Sequence, residues 1–170
     1  MNKNFFERTE KNPCEGCPAP CCRMQIHPCI PPTNLMSVDH IWYSLQFPGN
    51  ELTIAINGQF QWVVWKTCAL LDTTKATCTV HSTPRQPLTC QHYNPYNCWY
   101  KRCFVTAGEE PKELCRMNLA RFEKWMARLE FDKDDNLIAA PDFKETQALI
   151  QSIPITPHFE YNEELKKVVS

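Results

Sequence analysis

Glycine is scarce in this sequence. Four glycines occur among 170 residues, and they stand far apart, at Gly16, Gly49, Gly58 and Gly108. Nucleotide-binding loops need several glycines at fixed spacing, because the backbone must approach the phosphates closely. The chain has no G-x-G-x-x-G run, no P-loop and no G-x-S-x-G nucleophile elbow. A self-contained nucleotide-dependent enzyme, including a conventional methyltransferase, is therefore disfavoured, and the sequence leaves open whether the protein is an enzyme at all.

Long apolar runs and an excess of charge of one sign are also missing. The opening stretch MNKNFFERTEK lacks the apolar core of a signal peptide, and no segment approaches the roughly 20 apolar residues of a membrane span. Lysine and arginine total 18 against 19 aspartates and glutamates, which gives a net charge of −1. The sequence therefore carries no broad electrostatic signal for nucleic acid or for an anionic membrane. We expect a cytoplasmic protein without a membrane partner.

Cysteine, in contrast, is abundant. A chain of 170 residues that is 43% hydrophobic is long enough to build a core without disulfides. Eleven cysteines in a reducing compartment then indicate metal or redox chemistry. They fall into two sets, Cys14, Cys17, Cys21, Cys22 and Cys29, then Cys68, Cys78, Cys90, Cys98, Cys103 and Cys115. We therefore expect a cysteine-cluster metal-binding region over residues 1–130, followed by a helical or irregular packing tail of the same domain over 131–170.

The densest cysteine stretch is CEGCPAPCCR, at positions 14–23. Six of the fourteen prolines lie within residues 13–32, so regular helix or central strand is not expected there. Thiolates are soft ligands, and a spacing of two or three residues lets one loop direct several of them at a metal. Adjacent side chains of an extended chain point in opposite directions, so we expect Cys21 and Cys22 to serve two centres or one polynuclear cluster.

Hydrophobic spacing predicts an α+β fold around these cysteines, a small domain with short antiparallel hairpins and several helices. Helices are predicted over TNLMSVDHIWYSLQF, from Pro111 onwards with Cys115 on the apolar stripe, and more weakly over DFKETQALIQSI. The segment ELTIAINGQFQWVVW predicts a hairpin, since Asn57-Gly58 suits a tight turn that needs positive φ. TCALLDTTKATCTV resembles a second hairpin, whose turn brings the sulfurs of Cys68 and Cys78 within reach of each other.

The run QHYNPYNCWYKRCF is interpreted as an ordered, aromatic-rich loop. Its rings and basic side chains would allow stacking on single-stranded nucleic acid. Because the protein is slightly acidic overall, packing around the metal loop is the favoured role. We expect an unidentified protein partner and disfavour nucleic acid.

Three stretches together resemble a known family: CEGCPAPCCR, KTCALLDTTKATCTVHSTPRQPLTC and ELCRMNLAR. They look like the bacterial YkgJ-type cysteine cluster family, also described as the CxxCxxCC zinc- or iron-chelating domain, over residues 14–121. The family is similar in this region to part of the flagellin lysine methylases, which are considerably larger proteins. The resemblance implies eight metal ligands: Cys14, Cys17, Cys21, Cys22, Cys68, Cys78, Cys90 and Cys115.

The sequence departs from the family pattern in two respects. The family commonly has an Ile-Tyr-Glu-x-Arg-Pro run before the cysteine that Cys90 matches, whereas the stretch here is VHSTPRQP, with Arg85 separated from Pro87. Three cysteines are extra to the pattern: Cys29, Cys98 and Cys103. Each of them could replace a ligand or be a small buried thiol.

The sequence is compatible with two kinds of metal centre, zinc and iron–sulfur. Two closed four-cysteine zinc sites would use eight thiolates, whereas the adjacent pair and the loop geometry suit an iron–sulfur cluster, which is slightly favoured. The leading functional hypothesis is an accessory or electron-transfer protein. The alternatives are a structural-zinc adaptor module and a cluster-dependent enzyme that modifies another protein.

Overall fold

The computed structural model describes residue 14, residues 17–105 and residues 111–155. These ranges contain five α-helices and eight β-strands. The helices are α1 (Leu35–Ser44), α2 (Leu88–Gln91), α3 (Trp99–Phe104), α4 (Leu119–Met126) and α5 (Phe143–Ile150). The strands are β1 (Met24–Cys29), β2 (Asn50–Ala55), β3 (Phe60–Trp65), β4 (Leu71–Asp72), β5 (Thr77–Cys78), β6 (Leu114–Met117), β7 (Glu130–Phe131) and β8 (Leu137–Ala139). The predicted small α+β fold with antiparallel hairpins is confirmed.

The centre of the fold is a four-stranded antiparallel sheet with the order β1-β3-β2-β6. Strands β2 and β3 form the predicted hairpin through Asn57-Gly58. Gly58 has φ +79°, a left-handed conformation that suits glycine, and its N–H donates to the Ala55 carbonyl at 2.8 Å. The positive φ that the sequence predicted for this turn is therefore present at Gly58.

Strand β1 lies inside the proline-rich segment, where no central strand was expected. It occupies an edge of the sheet and pairs with β3, with Pro28 opposite Gln61. An edge strand tolerates proline because one side of the strand has no ladder partner that needs the missing N–H. The prolines therefore limit this segment to the sheet edge without excluding a strand.

The helix predicted from Pro111 is wrong over its first part. Residues Leu114–Met117 form strand β6, which pairs with β2 so that Arg116 stands opposite Thr53. Asn118 then ends the strand, and its side chain accepts from the Arg121 N–H at 3.0 Å to cap α4. The apolar spacing fitted a helix throughout, but pairing with β2 satisfies the backbone of 114–117 and buries both faces of the strand.

One face of the sheet is covered by α1, α4 and α5. Their buried side chains meet those of β2 and β6 in one core: Val38, Ile41, Leu45, Leu52, Ile54, Cys115, Met117, Phe122, Trp125 and Ile150. Helix α1 and helix α5 lie within their predicted segments, and both begin with a capping box. This first face carries most of the large buried side chains.

The opposite face is covered by α3. A smaller core forms there from Met24, Val63, Cys103, Phe104 and Leu114. The segment predicted as an aromatic loop is therefore helical over Trp99–Phe104. Its rings anchor it, since Phe104 packs edge-on against Trp65 and Trp99 with centroid separations of 5.8 and 5.4 Å.

No helix within the described ranges is both long enough and apolar enough to cross a membrane.

Candidate thiolate metal centre

The adjacent cysteine pair sits on a 3₁₀ turn, Pro20–Cys22, directly before β1. Ala19 enters the turn in a left-handed conformation, with φ 54°. Upstream, the Cys17 N–H donates to the Cys14 carbonyl at 3.2 Å, and the Cys17 side chain is 8% exposed. The 3₁₀ turn places Cys21 and Cys22 directly before β1, and the backbone hydrogen bond joins Cys17 to Cys14.

A first thiol group consists of Cys14, Cys17, Cys21 and Cys98. Cys98 is the residue from which α3 starts, and α3 packs against the 3₁₀ turn. Burial raises the pKa of Cys17; Lys101 opposes that rise, while the thiolates of Cys14 and Cys98 add to it. Burial again raises the pKa of Cys14 most, Lys101 opposes the rise, and the thiolates of Cys98 and Cys22 add to it. These thiols therefore lie close enough to feel each other's charge.

A second thiol group consists of Cys22, Cys68, Cys78 and Cys90. Burial raises the pKa of Cys90, and the thiolates of Cys22, Cys78 and Cys68 raise it further. The four residues come from separate parts of the chain, and the turn before β1, the β4–β5 hairpin and α2 bring them together.

Backbone hydrogen bonds hold the second thiol group in position. The Cys68 N–H donates to the Cys22 carbonyl at 2.7 Å, which ties the end of β3 to the 3₁₀ turn. Cys78 pairs with Leu71 in the β4–β5 ladder, and the Leu71 N–H donates to the Cys68 carbonyl at 3.1 Å. The predicted second hairpin is thus present. It brings Cys68 and Cys78 to the same end of the molecule.

Cys21 and Cys22 link the two groups. The Cys21 thiol donates a hydrogen bond to Cys22, which lowers the pKa of Cys22 to about 7 and raises that of Cys21. Tyr100 interacts with both groups: burial raises its pKa, and thiolates of both groups add to the rise. The adjacent pair therefore stands where the two groups meet, with Cys22 interacting with members of both.

Two cations lie beside the thiols. Arg23 lowers the pKa of Cys22, after the larger effect of the Cys21 hydrogen bond, and its Nε donates to the Pro18 carbonyl at 2.8 Å. Lys101 is 9% exposed and acts on Cys14 and Cys17. Thiolate groups gain from such positive neighbours because bound thiolates carry net negative charge.

Two further arginines that are adjacent to cysteines in the sequence have acidic partners elsewhere. Arg116 pairs with Glu51 at 2.9 Å, and Arg102 hydrogen-bonds Asn97 and pairs with Glu113 at 3.4 Å. The fold therefore directs the charge of both arginines to carboxylates, although each is adjacent to a cysteine in the sequence.

Cys115, the eighth ligand implied by the family resemblance, lies elsewhere. It is fully buried in the core under α1, α4 and α5, with its Sγ 3.7 Å from the Phe143 carbonyl oxygen. Strand β6 stands three strand spacings, about 14 Å, from β1, and the Cys115 side chain is on the face opposite α3. The structure therefore brings seven of the eight predicted ligands to one end of the molecule and separates Cys115 from them.

The three extra cysteines differ from one another. Cys29 ends β1 and packs against the core of the first face. Cys103 is fully buried beneath α3, where burial and the nearby Glu113 raise its pKa to about 12. Cys98 alone of the three joins a thiol group. The sequence spacing did not distinguish Cys98 from Cys103, because the helix that positions both was predicted as a loop.

The thiols are neighbours, not a closed cage. Within residues 14, 17–105 and 111–155, no three side chains of His, Cys, Asp or Glu stand in an arrangement that could hold a metal ion as they are. Ligation would require the thiols of each group to turn towards a common point. Exposed thiols such as Cys21, Cys68 and Cys90 have open space for such rotation.

Compared with known protein families, with curated proteins and with solved structures, the chain shows no match. The family resemblance therefore rests on the cysteine motifs alone.

Proposed function

We propose that this protein binds a metal through its clustered thiolates, as an iron–sulfur cluster or as zinc, and serves an accessory or electron-transfer role for a protein partner. The observation that carries the proposal is the second thiol group. Its cysteines span residues 22–90, yet Cys90 lies within electrostatic range of the other three. Soft thiolate ligands of this kind select zinc or iron–sulfur clusters.

The chemistry of the donor set fits such a group. The thiols are soft ligands, and Arg23 and Lys101 supply positive charge beside them. When bound, an iron–sulfur cluster would supply one-electron chemistry, whereas zinc would supply a rigid structural link. In either case the proposed ligands include Cys14, Cys17, Cys21, Cys22, Cys68, Cys78 and Cys90. A cytoplasmic location, where thiols stay reduced, is part of the proposal.

A purely structural zinc is the second candidate, and one observation favours it. Between the end of β3 and the start of α3, the regular elements are very short: β4 and β5 have two residues each and α2 has four. No side chain of residues 66–98 belongs to either core, and Leu71 and Val80 are the buried apolar side chains of this region. A metal that links Cys68, Cys78 and Cys90 would therefore stabilise this region, which has little apolar packing of its own.

The test is anaerobic purification followed by metal analysis, acid-labile sulfide analysis and a visible spectrum on one sample. Iron, sulfide and a chromophore that bleaches on reduction support the electron-transfer role. Stoichiometric zinc without colour supports the structural role. A folded protein that carries neither metal and takes up neither on reconstitution overturns the proposal.

A variant pair locates the site. Cys90→Ser removes an exposed thiol of the second thiol group, so metal content should fall. Cys29→Ser is the matched control, since Cys29 ends β1 and packs against the other core, and it should retain the full content. Equal metal content in both variants contradicts the assignment of the second thiol group.

A further inference from the structure

We propose that Cys98 is a metal ligand, and that with Cys14, Cys17 and Cys21 it forms a four-thiolate centre separate from the one formed by the second thiol group. This inference rests on the proposed function, because it presupposes that the chain binds metal through thiolates. The ligand class is a soft divalent ion such as zinc, or an iron–sulfur cluster.

The position of Cys98 is set by α3. The helix packs against the 3₁₀ turn that carries Cys21, and Cys98 is the N-cap residue of the helix. Lys101 follows three residues later, on the same side of the helix, and is 9% exposed. The two residues therefore present a thiol and a buried cation to the CEGCPAPCCR segment together.

A hydrogen bond already orients the Cys98 sulfur. The Tyr93 hydroxyl donates to Cys98 Sγ at 3.3 Å, and the Tyr93 ring packs edge-on against Tyr100 at a centroid separation of 5.5 Å. Metal-bound thiolates commonly accept such hydrogen bonds, which fix the ligand and offset its charge. Tyr93 is a positioning residue in this arrangement.

The electrostatics of the first thiol group agree with this geometry. Cys98 contributes to the raised pKa of Cys14, Cys17 and Cys21, which are all the other members of the group. Cys90 instead responds to members of the second thiol group. Cys22 also raises the pKa of Cys14 and Cys21, so electrostatics alone do not divide the thiols. We assign Cys22 to the second thiol group because its carbonyl accepts from the Cys68 N–H at 2.7 Å, and we leave Cys29, Cys103 and Cys115 outside both groups.

This assignment also accounts for the adjacent pair. A closed zinc site takes four ligands, so eight thiolates make two sites. Adjacent cysteines can then bind one to each site. Cys21 completes the first set and Cys22 the second. Cys98 then holds the place that the family resemblance gave to Cys115, which lies across the sheet.

The test is zinc counting by native mass spectrometry on reduced, metal-free protein titrated with zinc alone. We expect about two zinc ions per chain in the wild type and about one in Cys98→Ser. Cys103→Ala and Cys115→Ala are the matched controls, because each removes a buried cysteine outside the two groups, and both should bind about two.

The outcomes separate the two proposals. A wild type that binds zinc together with an unchanged Cys98→Ser overturns the role of Cys98 and leaves the metal-binding proposal standing. Loss of one zinc in Cys115→Ala, in protein that retains its native circular dichroism, also overturns it. A wild type that binds neither zinc nor iron overturns both proposals.

A second measurement avoids substitutions altogether. The protein as purified, with its metal, is alkylated before and after metal removal, and the modified cysteines are mapped by peptide mass. Cys98 should gain reactivity when the metal leaves, whereas Cys29 should react equally in both states. Equal alkylation of Cys98 in both states overturns the proposal.

Discussion

At the scale of single residues, the pair formed by Arg116 and Glu51 joins β6 to β2 beneath α3. Both side chains are buried, at 3% and 5% exposure, and Arg116 donates to both carboxylate oxygens of Glu51 at 2.9–3.0 Å. The guanidinium also lies over the rings of Phe104 and Trp65, at 5.0 and 5.6 Å from their centroids. The pair therefore couples the sheet to the helix that carries Cys98.

Removing one partner of this pair should be costly. We expect Glu51→Ala to lower the free energy of unfolding by about 3–5 kcal/mol, because a buried guanidinium loses its counter-charge. Glu113→Ala is the matched control: it breaks the exposed pair with Arg102, and we expect a change of about 0–1 kcal/mol. Urea denaturation at neutral pH measures both. Similar losses in the two variants would contradict the role given to burial.

At the scale of elements, the turn between β7 and β8 is organised by Asp132. Its carboxylate accepts from the Asp134 and Asn136 N–H groups, both at 2.9 Å, and from the Asn136 side chain at 3.0 Å. The hydrogen bonds from Asn136 lower the pKa of Asp132 most, and the N–H of Asp134 adds to them. One member of this acidic turn therefore has a defined structural role.

The stability contributed by Asp132 should depend on pH. A depressed folded-state pKa stabilises the fold above the unfolded-state pKa, about 3.9, and the contribution is lost as pH falls through the folded value. We expect Asp132→Ala to be less stable than wild type at pH 7, with the difference shrinking towards pH 2–3. Asp134→Ala, in the same turn, should show a smaller difference. Denaturant titrations across this pH range measure the effect, and a difference that grows on acidification would contradict it.

At the scale of the whole molecule, a packed apolar core lies apart from the segments that carry the thiol groups. The core on the first face is built from large apolar side chains of α1, α4 and α5. It contains no cysteine of either thiol group. The thiol-bearing segments have short elements and little apolar burial. Regions with few buried contacts open at lower free energy than a packed core.

Metal removal should therefore loosen one end of the molecule and leave the other folded. In hydrogen exchange, amides of residues 17–23 and 66–98 should lose protection when the bound metal is stripped, while β2 and α4 keep theirs. A sample reloaded with metal is the control and should regain the protection. Uniform loss of protection over the whole chain would contradict this division, and unchanged exchange at the thiol segments would argue against metal-dependent order.

The sequence was informative wherever short-range spacing controls the result. Helix α1, helix α5 and the hairpin at Asn57-Gly58 follow from apolar periodicity, capping and turn chemistry, all of which act within a few residues. The closeness of Cys68 and Cys78 follows in the same way, from a turn between them. The clustering of cysteines in the chain also determined that soft-metal chemistry was the first function to test.

Only the tertiary structure decided which thiols meet. Residues 114–117 had the spacing of a helix, but pairing with β2 made them a strand and carried Cys115 to the far side of the sheet. Cys98 and Cys103 could not be told apart until α3 was packed on the sheet, with Cys98 at the N-cap of the helix and Cys103 buried beneath it. Strand pairing and helix docking join residues distant in sequence, and local spacing carries no information about which face or edge of a sheet they will reach.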